Sequence, residues 1–265
     1  MPVKQSLCLP CFYRPEMDAA EFCRRVKSIG YPAVEVHDRK NYKNWEKLFA
    51  TVRAEGLTMA SMCGHGTLRD GLNRRENHTR IEAELRESID VAVLFGIPGL
   101  ICLSGDRQPG VSDDEGLVIC AEVLRRVAPY AEAKGINLNV ELLNSKVDHP
   151  GYQCDHTAWG VRLCEAVGSP RVKLLYDIYH MQIMEGDIIR TVRKHIQHIG
   201  HFHTAGNPGR QLMDDTQELN YTGICKAIAD TGYSLYVGHE YGFGSTGDPF
   251  PGLKAAFEIC RGPKA

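Results

Sequence analysis

The 265-residue sequence has neither a long apolar run nor a run of like charges. No stretch reaches the ~18 consecutive apolar residues that a membrane-spanning helix needs. The opening residues, MPVKQSLCLPCFY, lack the basic flank and apolar stretch of a signal peptide, so we expect a cytoplasmic protein. The 31 basic and 33 acidic residues are spread along the sequence, without the basic clusters that neutralise phosphates. We therefore expect neither a nucleic-acid partner nor a membrane partner.

The sequence also lacks a regular cysteine framework. Its ten cysteines are scattered, and several lie in apolar, strand-like runs, such as Cys8 and Cys102. This distribution predicts reduced thiols rather than disulfides. Cys8 and Cys11 form a C-x-x-C pair, which can serve redox chemistry or bind zinc. Pro10 inside the pair and the lack of a second pair argue against both roles.

The chain repeats one pattern throughout: a short apolar run, a loop and a longer stretch with helical spacing. Eight runs are predicted to be strands: 6–10, 32–37, 57–63, 99–104, 136–142, 172–177, 196–203 and 233–240. The main helix predictions are 18–29, 44–55, 75–95, 113–133, 156–167 and 221–230. Glycines follow these helices where a left-handed C-cap is needed, at Gly30, Gly56, Gly96, Gly135, Gly168 and Gly232.

No glycine-rich phosphate turn follows the first predicted strand. The nearest sequence, GHGTLRDG after the third strand, has the wrong spacing for G-x-G-x-x-G. Open, doubly wound sheets usually carry such a turn. Its absence, together with a length close to the roughly 250 residues of an eightfold barrel, predicts an α/β protein that forms a single (β/α)8 TIM barrel. No linker interrupts the pattern, so we expect one domain over residues 1–265.

Polar side chains of a similar kind stand near the ends of the predicted strands. They are Glu35, His37, His65, Glu141, Asp177, His203 and Glu240. The active site of such a barrel is built at the carboxyl ends of its strands, so these side chains are expected at one mouth.

Four of these residues, on four successive predicted strands, point to a metal site. Three carboxylates and an imidazole at one place would be costly to desolvate unless a cation neutralised them. We therefore predict that Glu141, Asp177, His203 and Glu240 bind one divalent metal ion, which could be Mn, Mg, Co or Zn. A carboxylate after a strand is often only a helix cap. Glu141 and Glu240, however, follow apolar runs in which capping explains them poorly.

Further residues are candidates for contacting a substrate. His180 lies three residues after Asp177, and Arg210 lies in a loop rich in glycine and proline that could clamp an oxyanion. A locally bonded loop histidine explains His180 equally well. His65, Glu35 and His37 could also line the pocket.

These segments resemble the xylose isomerase-like TIM barrel superfamily, in its hydroxypyruvate isomerase and sugar epimerase branch. The matching segments are NVELLN, LLYDIYHMQ, HFHTAGNPGR and VGHEY, and the resemblance covers nearly the whole chain. It implies that Glu141 and Glu240 are both metal ligands and the acid/base pair, and that His180 and Arg210 contact substrate. Hydroxypyruvate isomerases tend to carry glutamine at the position of His203, whereas ketose epimerases resemble this chain there.

The resemblance implies a metal-dependent isomerase or 3-epimerase that acts on a small sugar or keto acid. One glutamate would remove a proton beside a metal-polarised carbonyl, and the other would return a proton to the metal-bound enediolate. Return to the neighbouring carbon isomerises the substrate, whereas return to the other face epimerises it. A lyase or dehydratase, which would expel a β-leaving group, and a non-catalytic sugar-binding barrel remain alternatives.

A related apurinic endonuclease is a further alternative, and the balanced charge argues against it. A homo-oligomer is compatible with the sequence, because exposed barrel ends often associate.

Overall fold

Parallel strands form the centre of the molecule in a computed structural model that describes residues 1–14, 16–243 and 247–261. The strands are β1 (Lys4–Leu7), β2 (Ala33–Val34), β3 (Thr58–Met59), β4 (Met62–Cys63), β5 (Gly99–Cys102), β6 (Asn137–Glu141), β7 (Val172–Asp177), β8 (Ile199–Thr204) and β9 (Tyr236–His239). Seven of them form one sheet in the order β1-β9-β8-β7-β6-β5-β4, and β2 pairs in parallel with β3.

Backbone hydrogen bonds join the short sheet to the long one on both sides. Glu35 N donates to Leu7 O at 2.9 Å, which links the end of β2 to β1. Cys63 N donates to His37 O at 3.0 Å, which links β4 to the segment after β2. Because β3 and β4 are two parts of one interrupted strand, the ring has eight strand positions. The predicted (β/α)8 TIM barrel is confirmed.

Helices alternate with the strands. They are α1 (Leu9–Phe12), α2 (Ala19–Ile29), α3 (Trp45–Ala54), α4 (His78–Phe95), α5 (Asp113–Lys134), α6 (Thr157–Val167), α7 (Ile178–Met184), α8 (Ile188–His195), α9 (Tyr221–Asp230) and α10 (Phe250–Arg261). Short 3-10 turns cover Arg39–Asn41, Arg75–Asn77 and Ile196–His198. Among the residues that the structure describes, no helix combines the length and apolar character required to cross a bilayer.

Local sequence signals explain where these helices begin and end. In α5, for example, Leu117, Ala121, Leu124 and Ala128 are buried at helical spacing and form the face that packs inward. Asp18 caps α2 by accepting a hydrogen bond from Glu21 N. The six glycines that were predicted to end helices all have positive φ, as expected for C-caps.

Several predicted boundaries were wrong. The first strand does not continue to Pro10, because Leu9–Phe12 forms a helical turn. Proline suits the first turn of a helix, where its missing N–H costs no hydrogen bond. The predicted strand 196–203 begins instead at Ile199, after a 3-10 turn, and the last strand begins at Tyr236 rather than at residue 233. Helices α1, α7, α8 and α10 were not predicted.

All ten cysteines are free thiols, as expected, and eight of them are buried.

Candidate metal centre and active site

Four successive strand ends bring the predicted metal ligands together. Glu141 ends β6, Asp177 ends β7, His203 lies near the end of β8 and Glu240 directly follows β9. The strand register places Asp177 opposite His203, and His203 opposite Gly238. One ligand atom from each of the four residues lies within 4.8 Å of the others, and each residue is less than a tenth exposed.

The donor atoms fit one divalent cation. His203 Nδ1 lies 3.1 Å from Glu240 Oε2 and 3.5 Å from Glu141 Oε1. This buried nitrogen has no hydrogen-bond partner among the described residues, and after loss of its proton its lone pair can bind a metal. Three carboxylates and one imidazole form a mainly hard donor set, which suits the metals predicted from the sequence.

The electrostatics of the cluster also favour a bound cation. Burial raises the pKa of Asp177 above its ordinary value. Burial alone would raise the pKa of Glu240 too, but the charges of Arg210 and His203 outweigh it and hold that pKa well below the ordinary value. Burial lowers the pKa of His203, but Glu240 and Glu35 outweigh it, so the net shift is strongly upward. A cation would replace the His203 proton as the counter-charge of these carboxylates.

Glu35 lies behind His203 rather than in the substrate pocket. Its Oε2 accepts hydrogen bonds from His201 Nε2 at 2.8 Å and His203 Nε2 at 3.2 Å, and Ser6 Oγ donates to its Oε1 at 2.8 Å. Burial raises the pKa of Glu35, but the two histidines outweigh it and hold that pKa far below the ordinary value. The expected substrate contact of Glu35 is therefore corrected, because the carboxylate is fully buried and supports a candidate metal ligand instead.

The carboxylate of Glu35 packs against residue 238, which is a glycine. A Cβ at Gly238 would overlap Glu35 Oε1.

His37 and Arg210 lie at the rim of the cluster. His37 Nε2 is 2.6 Å from Glu240 Oε1, and Arg210 Nη2 donates to Glu240 Oε2 at 2.6 Å. Their side chains are 39% and 31% exposed, so both can be reached from the barrel mouth. Arg210 has a left-handed backbone conformation (φ 54°) after the cis bond between Asn207 and Pro208. These positions are compatible with the substrate contacts expected of both residues.

His180 presents one defined N–H group. Asn144 Oδ1 accepts hydrogen bonds from the backbone N–H groups of Val147 and Asp148, so its Nδ2 is the amide nitrogen. This nitrogen donates to His180 Nδ1 at 2.6 Å. Burial lowers the pKa of His180 to about 3, so the ring is neutral and carries its proton on Nε2. Nε2 is 3.7 Å from Asp177 Oδ2 and has no hydrogen-bond partner among the described residues.

His65 is placed differently from the sequence-based expectation. Its Nε2 accepts from Leu103 N at 2.9 Å, and its Nδ1 faces Gly66 O at 3.0 Å. Burial lowers its pKa to about 4, so the ring is neutral at physiological pH. Because both ring nitrogens are occupied, the arrangement favours a structural role over a substrate contact.

Three residues near the mouth were missed by the sequence analysis as site candidates: Asn144, His149 and Cys8. His149 lies in the loop after β6, its ring centroid is 5.3 Å from that of His180, and its buried Nε2 has no partner among the described residues. The sequence could have indicated His149 as a site candidate, because it lies shortly after Glu141 in NSKVDHPGY. Nothing in the sequence indicated that Cys8 would meet His37 and Glu240.

Comparison with known proteins now identifies the family. The sequence model of the xylose isomerase-like TIM barrel matches residues 23–261. The chain belongs to the xylose isomerase-like TIM barrel family. The hydroxypyruvate isomerase of Escherichia coli strain K12 is 34% identical to this family member over 164 residues, which cover 60% of this chain and 63% of the relative. The aligned stretch thus spans less than two thirds of that relative.

Solved structures share the family fold. The AP endonuclease of family 2 from Brucella melitensis superposes with a TM-score of 0.81 at 24% identity, covering 96% of this chain and 97% of that chain. The 3-keto-D-glucoside 4-epimerase from E. coli superposes with a TM-score of 0.79 at 20% identity, covering 96% and 98%. At these identities the likeness shows the barrel fold alone.

Proposed function

We propose that this member of the xylose isomerase-like family is a divalent-metal-dependent isomerase or epimerase of small sugars or keto acids. The observation that carries the proposal is the meeting of Glu141, Asp177, His203 and Glu240 at one barrel mouth. The likeness to a relative named hydroxypyruvate isomerase supports a small substrate with a carbonyl next to a hydroxyl-bearing carbon.

The four clustered residues would hold the cation. When bound, it would polarise a substrate carbonyl, make the neighbouring C–H more acidic and stabilise negative charge on the oxygen. Glu141 and Glu240 come from β6 and the end of β9, which are separated in the barrel by β7 and β8. One of these glutamates removes the proton from carbon to form an enediolate, and the other returns a proton.

Neighbouring residues orient the substrate. His180 donates its Nε2–H to a substrate oxygen, because Asn144 occupies Nδ1 from the other side. Arg210 holds Glu240 ionised and offers its remaining N–H groups to substrate hydroxyls. The carbon that receives the returned proton decides between isomerisation and epimerisation.

Proton exchange between substrate and solvent tests the proposal. The purified protein is stripped with a chelator, reloaded with Mn²⁺ and incubated in D2O with a panel of small ketoses and 2-keto acids. We expect deuterium at the carbon next to the carbonyl, detected by NMR, only after reloading. Exchange that persists in fully stripped protein would contradict metal dependence, and exchange with no member of the panel would contradict the proposed reaction class.

A further inference from the structure

The two carboxylate oxygens of Glu240 face different neighbours. Oε2 belongs to the candidate metal centre, 3.1 Å from His203 Nδ1. Oε1 lies 2.6 Å from His37 Nε2, and His37 is not one of the four residues of that centre. A carboxylate with this arrangement can bind one cation through each oxygen, as in enzymes with two metal ions about 3.5–4 Å apart.

A thiol completes the second group of donors. Cys8 follows β1, is fully buried, and its Sγ lies 3.1 Å from His37 Nε2. Cys8 Sγ, His37 Nε2 and Glu240 Oε1 thus meet at one place, and the three residues offer ligand atoms that all lie within 4.8 Å of one another. Ligand atoms around a tetrahedral zinc ion, with bonds of about 2.0–2.3 Å, are themselves about 3–4 Å apart. Small shifts of these side chains would produce that spacing.

We propose that Cys8, His37 and Glu240 form a second cation site, joined to the first through Glu240, for a thiophilic divalent ion such as zinc. The donor chemistry separates the two sites. The first offers three carboxylates and an imidazole and no sulfur, whereas the second offers one sulfur, one nitrogen and one oxygen, a set that favours softer ions. Binding requires that Cys8 Sγ lose its proton and that His37 bind as the neutral ring through Nε2, with its proton on Nδ1.

The site is accessible and leaves room for a further ligand. The His37 side chain is 39% exposed, which provides a route from the barrel mouth. Three protein ligands leave the fourth tetrahedral position open to water or to a substrate oxygen.

In the sequence, the lack of a second cysteine pair argued against a metal at Cys8 and Cys11. The fold removes this objection. A zinc site built from cysteines alone would need a second pair, but here His37 and Glu240 supply the remaining donors from the segments that follow β2 and β9. Cys11 donates its backbone N–H to Cys8 O at 3.0 Å, but it is not part of the group of donors within 4.8 Å. The proposal therefore assigns the thiolate ligand to Cys8 and not to Cys11.

Cobalt distinguishes the two sites spectroscopically. Reduced, chelator-stripped full-length protein is titrated with Co²⁺, and bound ions are counted by mass spectrometry. We expect two ions per chain and a thiolate-to-cobalt charge-transfer band in the near ultraviolet that accompanies only one of them. Cys8→Ser is expected to lose the band and one ion. Cys11→Ser, and Cys63→Ser at the same mouth, are expected to keep both.

The band in the unmodified protein is the primary result, so the test does not depend on how well Cys8→Ser folds. A wild-type protein that binds cobalt without a sulfur band would overturn the proposal. A band that survives in Cys8→Ser and disappears in Cys11→Ser or Cys63→Ser would overturn it as well. The inference does not rest on the proposed reaction, since failure of deuterium exchange leaves the cobalt spectrum unaffected and a missing band leaves the exchange assay unaffected.

Discussion

His203 donates from Nε2 to Glu35 Oε2 at 3.2 Å and thereby turns its other ring nitrogen, Nδ1, toward Glu141 and Glu240. A carboxylate in this position selects the tautomer of a metal-binding histidine and raises its basicity. The pair thus connects the buried wall of the barrel with the candidate metal centre at the mouth.

Replacing Glu35 should weaken metal binding. In Glu35→Gln the negative charge is lost, so the remaining oxygen is a weaker acceptor for His201 and His203, and the amide nitrogen cannot accept from Ser6. We expect a loss of about 10–100-fold in Mn²⁺ affinity, measured by titration calorimetry. The matched control is the exposed Glu258→Gln on α10. Unchanged Mn²⁺ affinity in Glu35→Gln would show that the Glu35 contact does not position His203.

A side chain at position 238 should disturb the packing around Glu35. Because a Cβ there would overlap Glu35 Oε1, which Ser6 holds in place, Gly238→Ala is expected to lower the free energy of unfolding by about 1–3 kcal/mol. Urea denaturation measures the change. Gly247→Ala, whose added Cβ would meet nothing within 4 Å, serves as the control. Equal stability of the two variants would contradict the expected clash.

The two glutamates should be essential for proton transfer. Glu141→Gln and Glu240→Gln keep the size of each side chain but remove its basicity. We therefore expect the rate of deuterium exchange to fall by about 10²–10⁴-fold while the fold stays intact. Circular dichroism checks the fold, and Glu258→Gln should retain full exchange. Activity that survives in either variant would remove that glutamate from the proposed acid/base pair.

His180 should be a neutral ring protonated at Nε2. Its pKa of about 3 means that it does not titrate between about pH 5 and 8, and Asn144 blocks Nδ1. Nitrogen-15 NMR of metal-free protein should show the single Nε2–H tautomer. In Asn144→Ala the preference should fall by about fivefold, since one net hydrogen bond is worth about 1 kcal/mol. Asn220→Ala, which removes a helix cap elsewhere, should leave the His180 signals unchanged.

Asp155, in the loop after β6, should make the stability of the fold depend on pH in the acid range. Arg107 donates to both carboxylate oxygens of this residue, at 3.0 and 3.1 Å. Burial raises the pKa of Asp155, but the hydrogen bonds from Arg107, Ser145 and His156 outweigh it and hold that pKa below the ordinary value of 3.8. A lowered pKa in the folded state stabilises the fold above the ordinary value, and this contribution is lost as the pH falls through the folded-state pKa.

We therefore expect Asp155→Asn to lower the free energy of unfolding by about 1.5–3 kcal/mol near neutral pH. The difference from wild type should shrink as the pH falls below 3.8, as followed by urea denaturation over a range of pH. Asp215→Asn, at an exposed position, should show little change at any pH. A difference that stays constant into acid would mean that the Asp155 charge is not responsible.

Much of the fold followed from the alternation of apolar runs and helical stretches. The strand 172–177 and the helix 221–230 were predicted at their exact limits, because periodicity and flanking caps mark them locally. Predictions failed where local signals conflict with packing. Residues 9–10 look like the end of a strand by composition, yet Leu9 begins α1.

The sequence by itself determined the barrel and the grouping of Glu141, Asp177, His203 and Glu240, since residues that end neighbouring parallel strands meet at one edge whatever the details of packing. Only the tertiary structure decided which partners the side chains that follow β1 and β2 contact. Glu35 lies behind His203, and Cys8 meets His37 beside Glu240. Such contacts depend on the register between strands distant in the chain, where a shift of one residue sends a side chain to the opposite face.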